Sequence, residues 1–232
     1  MYLEEYIDYT ILKPFCKQEE ILAAYQTFIE KDYKGFCIPS CYLPLIRNEM
    51  GYSMGYKTLI TVVGFPFGYQ SIEEKVQSIL SFKNNPPDEI DFVINLSAVK
   101  SSNWQLLKEE LNYIHQARNQ IHSYKKDNNG KTLTVRPILL KAIIESPHWD
   151  DLTLESICEL CVENGIDFIK TSTGFLEDGI SLETKLYSII KIREFTFGSN
   201  IQIKISGCIR DRETAMKAIE IGVARIGTSS PL

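Results

Sequence analysis

Short apolar runs alternate with amphipathic segments along the whole chain. Eight runs have the length and the Val and Ile content of buried strands, and most are bounded by Gly, Pro, Asn or Asp. They cover residues 6–9, 35–38, 59–63, 90–96, 135–144, 166–171, 201–206 and 223–227. This pattern predicts parallel strands that are buried on both faces.

The segments between the runs carry helix signals. Ser71 and Glu74 form a capping box that opens one helix, and Asp211 caps another, which Gly222 ends. A third segment has an apolar stripe at helical spacing, formed by Leu154, Ile157, Cys158 and Cys161. Because both cysteines lie on that stripe, core packing explains their spacing better than a metal or redox site does.

Eight strands alternating with helices in 232 residues predict a (β/α)8 TIM barrel, a single domain spanning residues 1–232. The alternative is an open doubly wound sheet, which normally has fewer strands. Only five residues follow Gly227, so we expect no eighth helix. The outer face of the eighth strand then needs cover from a neighbouring element, another subunit or residues outside this sequence. The polar patch at 124–131 is interpreted as a surface loop.

Composition narrows the function classes. Apolar residues make up 44% and charged residues 24%, as in soluble globular proteins. The net charge is −5 with no long basic run, so we expect no nucleic-acid partner. No stretch approaches the roughly 20 apolar residues of a membrane helix, and no signal peptide is visible. Six cysteines are too few for a disulfide scaffold, so we expect a cytoplasmic protein.

Charged residues interrupt several of the predicted strands. Asp91 alternates with apolar neighbours in the fourth run. In the seventh run three isoleucines share one face, which should meet the helices, so Lys204 should point into the barrel. Lys141 and Lys170 lie in the fifth and sixth runs. Burying an unpaired charge costs several kcal/mol, so these groups should be paired, shifted in pKa or functional.

The number of lysines that point into the barrel distinguishes a structural role of these side chains from a catalytic one. One Lys and one Asp alone would be interpreted as a buried ion pair without chemistry. Three lysines around one carboxylate crowd each other, so one of them should lose its proton easily. A neutral amine attacks carbonyl carbon atoms, which is the requirement for Schiff-base catalysis.

The segment 167–175, DFIKTSTGF, closely resembles the active-site strand of deoxyribose-phosphate aldolases. Seven further segments resemble the other strands of that family in the same order. They are 7–14 (IDYTILKP), 35–38 (GFCI), 61–68 (TVVGFPFG), 89–95 (EIDFVIN), 140–145 (LKAIIE), 204–210 (KISGCIR) and 225–230 (RIGTSS). Matches in the right order over nearly the whole chain make this resemblance highly specific.

The resemblance implies a class I aldolase that cleaves 2-deoxy-D-ribose 5-phosphate reversibly to acetaldehyde and D-glyceraldehyde 3-phosphate. It assigns the Schiff base to Lys170. Lys204 is then the second lysine, which favours the neutral form of the first, and Asp91 moves protons through a water molecule. The iminium serves as the electron sink, so neither a metal nor another cofactor is expected.

The resemblance also implies a set of substrate-binding residues. They are Thr10, Cys37, Lys141, Thr171, Gly174, Gly207, Cys208, Gly227, Ser229 and Ser230. Phosphates in such barrels are often held by backbone N–H groups after strands seven and eight. Cys208 departs from the family, which usually has a second glycine there, so phosphate affinity and substrate choice are open. Tyr9 in place of a common histidine, and residues 39–41, are further departures.

Two alternatives to this function stay open. One is another Schiff-base aldolase on the same fold with a different acceptor. The other is a non-catalytic barrel that binds a sugar phosphate or serves in an assembly. The expected partner is a small-molecule sugar phosphate, although the acceptor of the rival aldolase can be phosphorylated or unphosphorylated. The chain is expected to form a homo-oligomer, either a dimer or a tetramer.

Overall fold

The computed structural model describes residues 2–51, 56–126, 132–176, 179–207 and 209–232. Within these residues the chain forms ten strands: β1 (Ile7–Thr10), β2 (Gly35–Ile38), β3 (Thr58–Val63), β4 (Glu89–Val93), β5 (His122–Lys126), β6 (Thr132–Pro137), β7 (Leu139–Ile143), β8 (Phe168–Lys170), β9 (Gln202–Ile205) and β10 (Arg225–Thr228). It also forms eight α-helices: α1 (Gln18–Glu30), α2 (Leu43–Met50), α3 (Ile72–Ser81), α4 (Leu96–Lys100), α5 (Trp104–Arg118), α6 (Asp151–Glu163), α7 (Leu182–Phe195) and α8 (Arg212–Glu220).

Eight of these strands close into a parallel barrel in the order β1, β2, β3, β4, β7, β8, β9, β10, with β10 paired to β1. Every neighbouring pair in the barrel is parallel. The predicted (β/α)8 TIM barrel is therefore confirmed, and each of the eight apolar runs overlaps one barrel strand.

The fifth predicted run was wrong in its extent. Residues 132–137 form β6, which pairs antiparallel with β5, and the barrel strand β7 begins only at Leu139. Pro137 ends β6. Because Val135 and Ile138 on either side of this position are apolar, assignment by hydrophobicity does not detect the boundary between the two strands. The predicted surface loop was also wrong in part, because residues 124–126 belong to β5, while 127–131 lie outside the described residues.

The side chains of β9 show how the sequence sets the two faces of each strand. Ile203 and Ile205 are buried on the side of the helices, while Lys204 between them meets carboxylates inside the barrel. The predicted caps are also present, since the side chains of Ser71 and Asp211 accept hydrogen bonds from backbone N–H groups of α3 and α8. The apolar stripe of α6 is buried, cysteines included.

Among the described residues no helix follows β10, and other parts of the chain cover the outer face of this strand. Arg225 and Gly227 face the barrel interior, so Ile226 points outward, and it is nevertheless fully buried. The last residue, Leu232, is tied back by two hydrogen bonds with the Tyr33 hydroxyl, at 3.0 and 3.1 Å. The cover therefore comes from neighbouring elements of the same chain.

Candidate active site

The barrel interior carries charged side chains from six of its strands. Seven of them are less than a tenth exposed and contact one another: Asp8, Glu89, Asp91, Lys141, Lys170, Lys204 and Arg225. The period of two in each strand places them inside, because their immediate neighbours in sequence face the helices. A core of this kind is stable only if its charges are paired.

Asp91 is the centre of the cluster. One of its carboxylate oxygens, Oδ1, lies 2.9 Å from Lys141 Nζ. The other, Oδ2, accepts hydrogen bonds from Lys170 Nζ at 3.0 Å and from Lys204 Nζ at 2.9 Å. Because the last two lysines share one oxygen atom, their ammonium groups are close neighbours.

The charges on the far side of Asp91 join into a closed ring. Lys204 Nζ lies 2.6 Å from Asp8 Oδ2, and the other oxygen of Asp8 pairs with Arg225. Arg225 also pairs with Glu89 Oε1, and Glu89 Oε2 pairs with Lys141. We call this set the charge ring; in order, its members are Asp91, Lys141, Glu89, Arg225, Asp8 and Lys204.

The charge ring alternates in sign and contains three cations and three carboxylates. Burial opposes the charge of Lys204, but Asp8 and Asp91 outweigh it and raise the pKa of this lysine above its ordinary value. Burial also opposes the charge of Asp91, but Lys141, Lys170 and Lys204 hold the pKa of this carboxyl well below its usual range. Lys204 and Asp91 are therefore both ionised at neutral pH.

Lys170 stands outside the charge ring and next to open space. It ends β8 and forms part of the wall of a cavity of about 370 Å3 at the carboxyl ends of the strands. Its Nζ lies 5.9 Å from the ring centroid of Phe65, which also lines this cavity. In parallel barrels this end is where catalytic groups converge. A carbonyl compound in the cavity would reach the Lys170 amine directly.

Similarity to known proteins agrees with this geometry. No family model matches the chain. It is 33% identical to deoxyribose-phosphate aldolase of a Thermus thermophilus strain, over 99% of this chain and 94% of that protein. It is 34% identical to deoxyribose-phosphate aldolase of Brevibacillus brevis, over 99% of this chain and 93% of that protein. The chain belongs to the deoxyribose-phosphate aldolase family. It is therefore an aldolase, a carbon–carbon lyase.

Solved structures resemble this aldolase over nearly its whole length. A structure described as QR15, an aldolase, has a TM-score of 0.80 at 31% identity, over 98% of this chain and 91% of that one. The deoxyribose phosphate aldolase from Aeropyrum pernix, described as having a unique tetrameric structure, has a TM-score of 0.79 at 24% identity, over 98% and 86%. The second comparison supports the fold alone.

The structure brings many of the expected substrate-binding residues of this aldolase to the cavity beside Lys170. Those that line it are Thr10, Gly174, Gly207, Gly227 and Ser229. Gly174 and Gly207 have φ angles of 86° and 90°, a left-handed conformation that glycine adopts without strain. A Cβ atom on Gly174 would lie 3.8 Å from Gly207 Cα, so the two loops face each other at close range.

Four other expected residues do not line this cavity. Lys141 and Cys37 are fully buried inside the barrel, and burial raises the pKa of the Cys37 thiol to about 11. Thr171 is buried and joins the segments that follow β8 and β9, because its hydroxyl accepts a hydrogen bond from Ser206 N. Ser230 donates its N–H to Thr228 Oγ1. The last expected residue, Cys208, lies outside the described residues.

Further residues of the cavity and of the charge ring were not among the predicted site residues. Lys13 and Arg210 line the mouth of the cavity, with Phe65 and Phe175 on its walls. Asp8, Glu89 and Arg225 in the charge ring were also missed. A signal was available for Glu89, which precedes Asp91 by two residues and therefore shares its face of the strand.

Buried polar contacts hold the loops that surround the cavity. Lys75 Nζ donates to the carbonyl oxygens of Gly68 and Val93, each at 2.8 Å, and pairs with Glu110 at 2.6 Å. Lys185 Nζ donates to Gly207 O at 2.9 Å. Lys75 therefore ties α3 to the loop after β3 and to the end of β4, and Lys185 ties α7 to the loop after β9, which fixes both loops relative to the barrel.

Two kinds of feature, metal-binding groups and membrane-spanning helices, are absent from the described part of the chain. No group of three or more His, Cys, Asp or Glu residues there is arranged to hold a metal ion. None of the helices within the described ranges has the length and apolar character that a membrane span requires.

Proposed function

We propose that this aldolase cleaves 2-deoxy-D-ribose 5-phosphate reversibly to acetaldehyde and D-glyceraldehyde 3-phosphate through a Schiff base on Lys170. One observation carries the assignment of the nucleophile. Lys141 and Lys204 are each held between two carboxylates of the charge ring, whereas Lys170 pairs with Asp91 and borders the cavity. This arrangement supports Lys170, rather than Lys141 or Lys204, as the lysine that meets the substrate.

Charge balance supports the same choice. The charge ring is neutral by itself, since its three cations match its three carboxylates. Lys170 adds a fourth cation, and its neutral form leaves each ring carboxylate paired with two ring cations. A neutral Lys141 would leave Glu89 with Arg225 alone, and a neutral Lys204 would leave Asp8 with Arg225 alone. An uncharged amine is the form that attacks an aldehyde carbonyl.

The reaction steps follow from this arrangement. Lys170 Nζ attacks C1 of the open-chain sugar, and loss of water gives an iminium ion. Removal of the proton from the C3 hydroxyl breaks the C2–C3 bond, the electron pair forms the enamine, and glyceraldehyde 3-phosphate leaves. Protonation of C2 and hydrolysis then release acetaldehyde and restore the amine. Asp91 and Lys204 border Nζ and would pass these protons, Asp91 through a water molecule.

Asp91 has a second role in the proposal. Its carboxylate lies 3.0 Å from Lys170 Nζ and stays ionised because of its lowered pKa. A negative charge at that distance stabilises the iminium ion as it forms in a site of low dielectric constant. The barrier to imine formation is lowered in this way without a metal.

The phosphate of the substrate would bind at the other wall of the cavity. Gly174 and Gly207 can present backbone N–H groups there, with Ser229 beside them. Lys13 and Arg210 add positive charge at the mouth. Backbone N–H groups and positive charge are the ordinary means by which barrels hold a phosphate.

Trapping with borohydride tests the nucleophile. Acetaldehyde and borohydride should convert Lys170 to an N-ethyl lysine, seen as one modified peptide by mass spectrometry. Lys170→Met should abolish both the label and the cleavage of deoxyribose 5-phosphate, whereas Lys108→Met, which removes a half-exposed surface lysine, should retain both. A label on Lys141 or Lys204 would contradict the assignment. A wild type that cannot cleave deoxyribose 5-phosphate would contradict the substrate.

The proposal also covers assembly and location. We propose that the chain forms a homo-oligomer, either a dimer or a tetramer. We place the activity in the cytoplasm, where a reducing environment suits the five described cysteines, all of which are free thiols. Light scattering of the purified protein would measure the assembly, and a monomer would contradict that part of the proposal.

A further inference from the structure

Arg225 closes the charge ring at a point remote from Lys170. It begins β10, and it borders a second cavity, of about 670 Å3, at the amino ends of the strands. Its guanidinium spans two carboxylates, with one nitrogen on Asp8 and another on Glu89. Arg225 therefore lies at the opposite end of the barrel from the cavity that Lys170 borders.

We infer that Arg225 is a positioning residue for the aldolase reaction: by completing the neutral charge ring, it makes Lys170 the surplus cation of the cluster. The inference rests on the proposed function, because it takes Lys170 as the nucleophile. Arg225 acts through others: Asp8 connects it to Lys204, and Glu89 connects it to Lys141. Both of those lysines contact Asp91, which is the partner of Lys170.

The planar guanidinium is suited to this place. It has donors in a fixed fork, so one side chain satisfies two carboxylates at once. A lysine at the same position would keep the positive charge but would offer a single ammonium group. Arg225→Lys therefore tests the positive charge at this position separately from the fork geometry of the guanidinium.

Removing the charge of Arg225 should change the pH to which Lys170 keeps its proton in a predictable direction. The ring would keep two cations, Lys141 and Lys204, against three carboxylates. Lys170 would then supply the missing positive charge and keep its proton to higher pH. Neutralising Glu89 has the opposite effect, because three ring cations would face two carboxylates and Lys170 would release its proton at lower pH.

Other ionisable groups near the ring stay the same in each variant. Cys37 on β2 faces the cluster and is neutral in the tested range, since burial raises its pKa to about 11. The groups that line the lower cavity around Arg225 are Lys34, Lys57, Asp88 and Arg136. A measured midpoint belongs to this coupled cluster as a whole, so the comparison between variants carries the information.

The experiment measures the rate of acetaldehyde and borohydride labelling of Lys170 as a function of pH. Relative to wild type, the pH of half-maximal rate should rise in Arg225→Met, by on the order of one pH unit for one charge at this remove. It should fall by a similar amount in Glu89→Gln. Arg225→Lys should restore a midpoint close to wild type, even where its thermal stability is lower.

A matched control removes another buried arginine. Arg118 pairs with Asp167 at 2.8 Å and donates to Ile138 O, and it lies outside the charge ring. Arg118→Met should therefore lower stability without moving the midpoint. The pH profile thus separates a positioning role from a purely structural one.

Each outcome decides the question. An unchanged midpoint in Arg225→Met or in Glu89→Gln, or shifts of the same sign in both, would overturn the inference. Glu89→Gln keeps the volume of the side chain, so it carries the test alone if Arg225→Met does not fold. A wild type that acquires no label on Lys170 would instead refute the proposed function itself.

Discussion

Gly35 leaves space for the carboxylate of Asp8, so Gly35→Ala should disrupt the ion pairs that Asp8 makes in the charge ring. Gly35 on β2 is paired in register with Asp8 on β1. A Cβ atom built on Gly35 would lie 2.2 Å from Asp8 Oδ1 and 3.0 Å from Asp8 Cγ. Cβ contacts below 3.0 Å are essentially never tolerated, so the carboxylate must move away from Arg225 and Lys204.

The size of the effect follows from what that movement breaks. Loss of a buried ion pair leaves uncompensated charges and costs about 3–5 kcal/mol. Because Asp8 is displaced rather than removed, we expect about 3 kcal/mol in the free energy of unfolding. For a chain of this length each kcal/mol lowers the melting temperature by about 2–4 °C, so the loss is about 6–12 °C.

A double-mutant cycle in urea, followed by circular dichroism, is the assay. Asp8→Ala removes the carboxylate that the new methyl group would strike. In that background Gly35→Ala should cost less than about 1 kcal/mol, since the other close neighbour, Ile60 Cδ1 at 2.7 Å, is the flexible end of a side chain. The backbone at Gly35 is outside the left-handed region and accepts alanine.

Equal costs of Gly35→Ala in the wild-type and Asp8→Ala backgrounds would refute this reasoning. Such additivity would mean that the methyl group is accommodated without displacing the carboxylate. It would also mean that Asp8 has more freedom than the charge ring allows.

Two further predictions concern the neighbours of the nucleophile. The pKa of Asp91 is lower in the folded chain than in the unfolded chain, so its stabilising effect is present above about pH 4 and is lost as the pH falls further. The difference in unfolding free energy between wild type and Asp91→Asn should therefore be constant from about pH 7 to about pH 5 and shrink in stronger acid; a constant difference at all pH values would contradict it. Gly227→Ala places a Cβ 3.2 Å from Lys204 Cε and should lower kcat about tenfold in steady-state assays while the circular dichroism spectrum stays unchanged.

The barrel could be predicted from sequence because its signals are local. A buried parallel strand is an apolar run, and its period of two also assigned Asp91 and Lys204 to the interior. The prediction was wrong where an apolar run crosses an element boundary. At Pro137 one such run holds the end of β6, and the barrel strand β7 starts two residues later.

The charge ring could not be predicted as a whole, because its partners are distant in sequence. Asp8 and Arg225 are 217 positions apart, and no local pattern pairs them. The position of Lys13 and Arg210 at the cavity mouth depends on loop conformation, which periodicity does not report. Cys37 was expected among the substrate-binding residues, but the structure buries its thiol completely inside the barrel.

The pairing of Asp8 with Arg225 has a consequence for how the chain folds. These residues sit on the first and last strands, so their contact forms only when the barrel closes. A partly assembled barrel without β10 would leave Asp8 and Glu89 facing Lys141 and Lys204 with a cation missing, and such an intermediate is penalised by its unbalanced, half-desolvated charge. Within the charge ring, this contact has the largest loop-closure entropy cost, because its two residues are the farthest apart in sequence. Closure of the barrel therefore forms the β10–β1 pairing and the ion pairs of Arg225 in one concerted step. A chain truncated before residue 225 would lose these ion pairs together with β10.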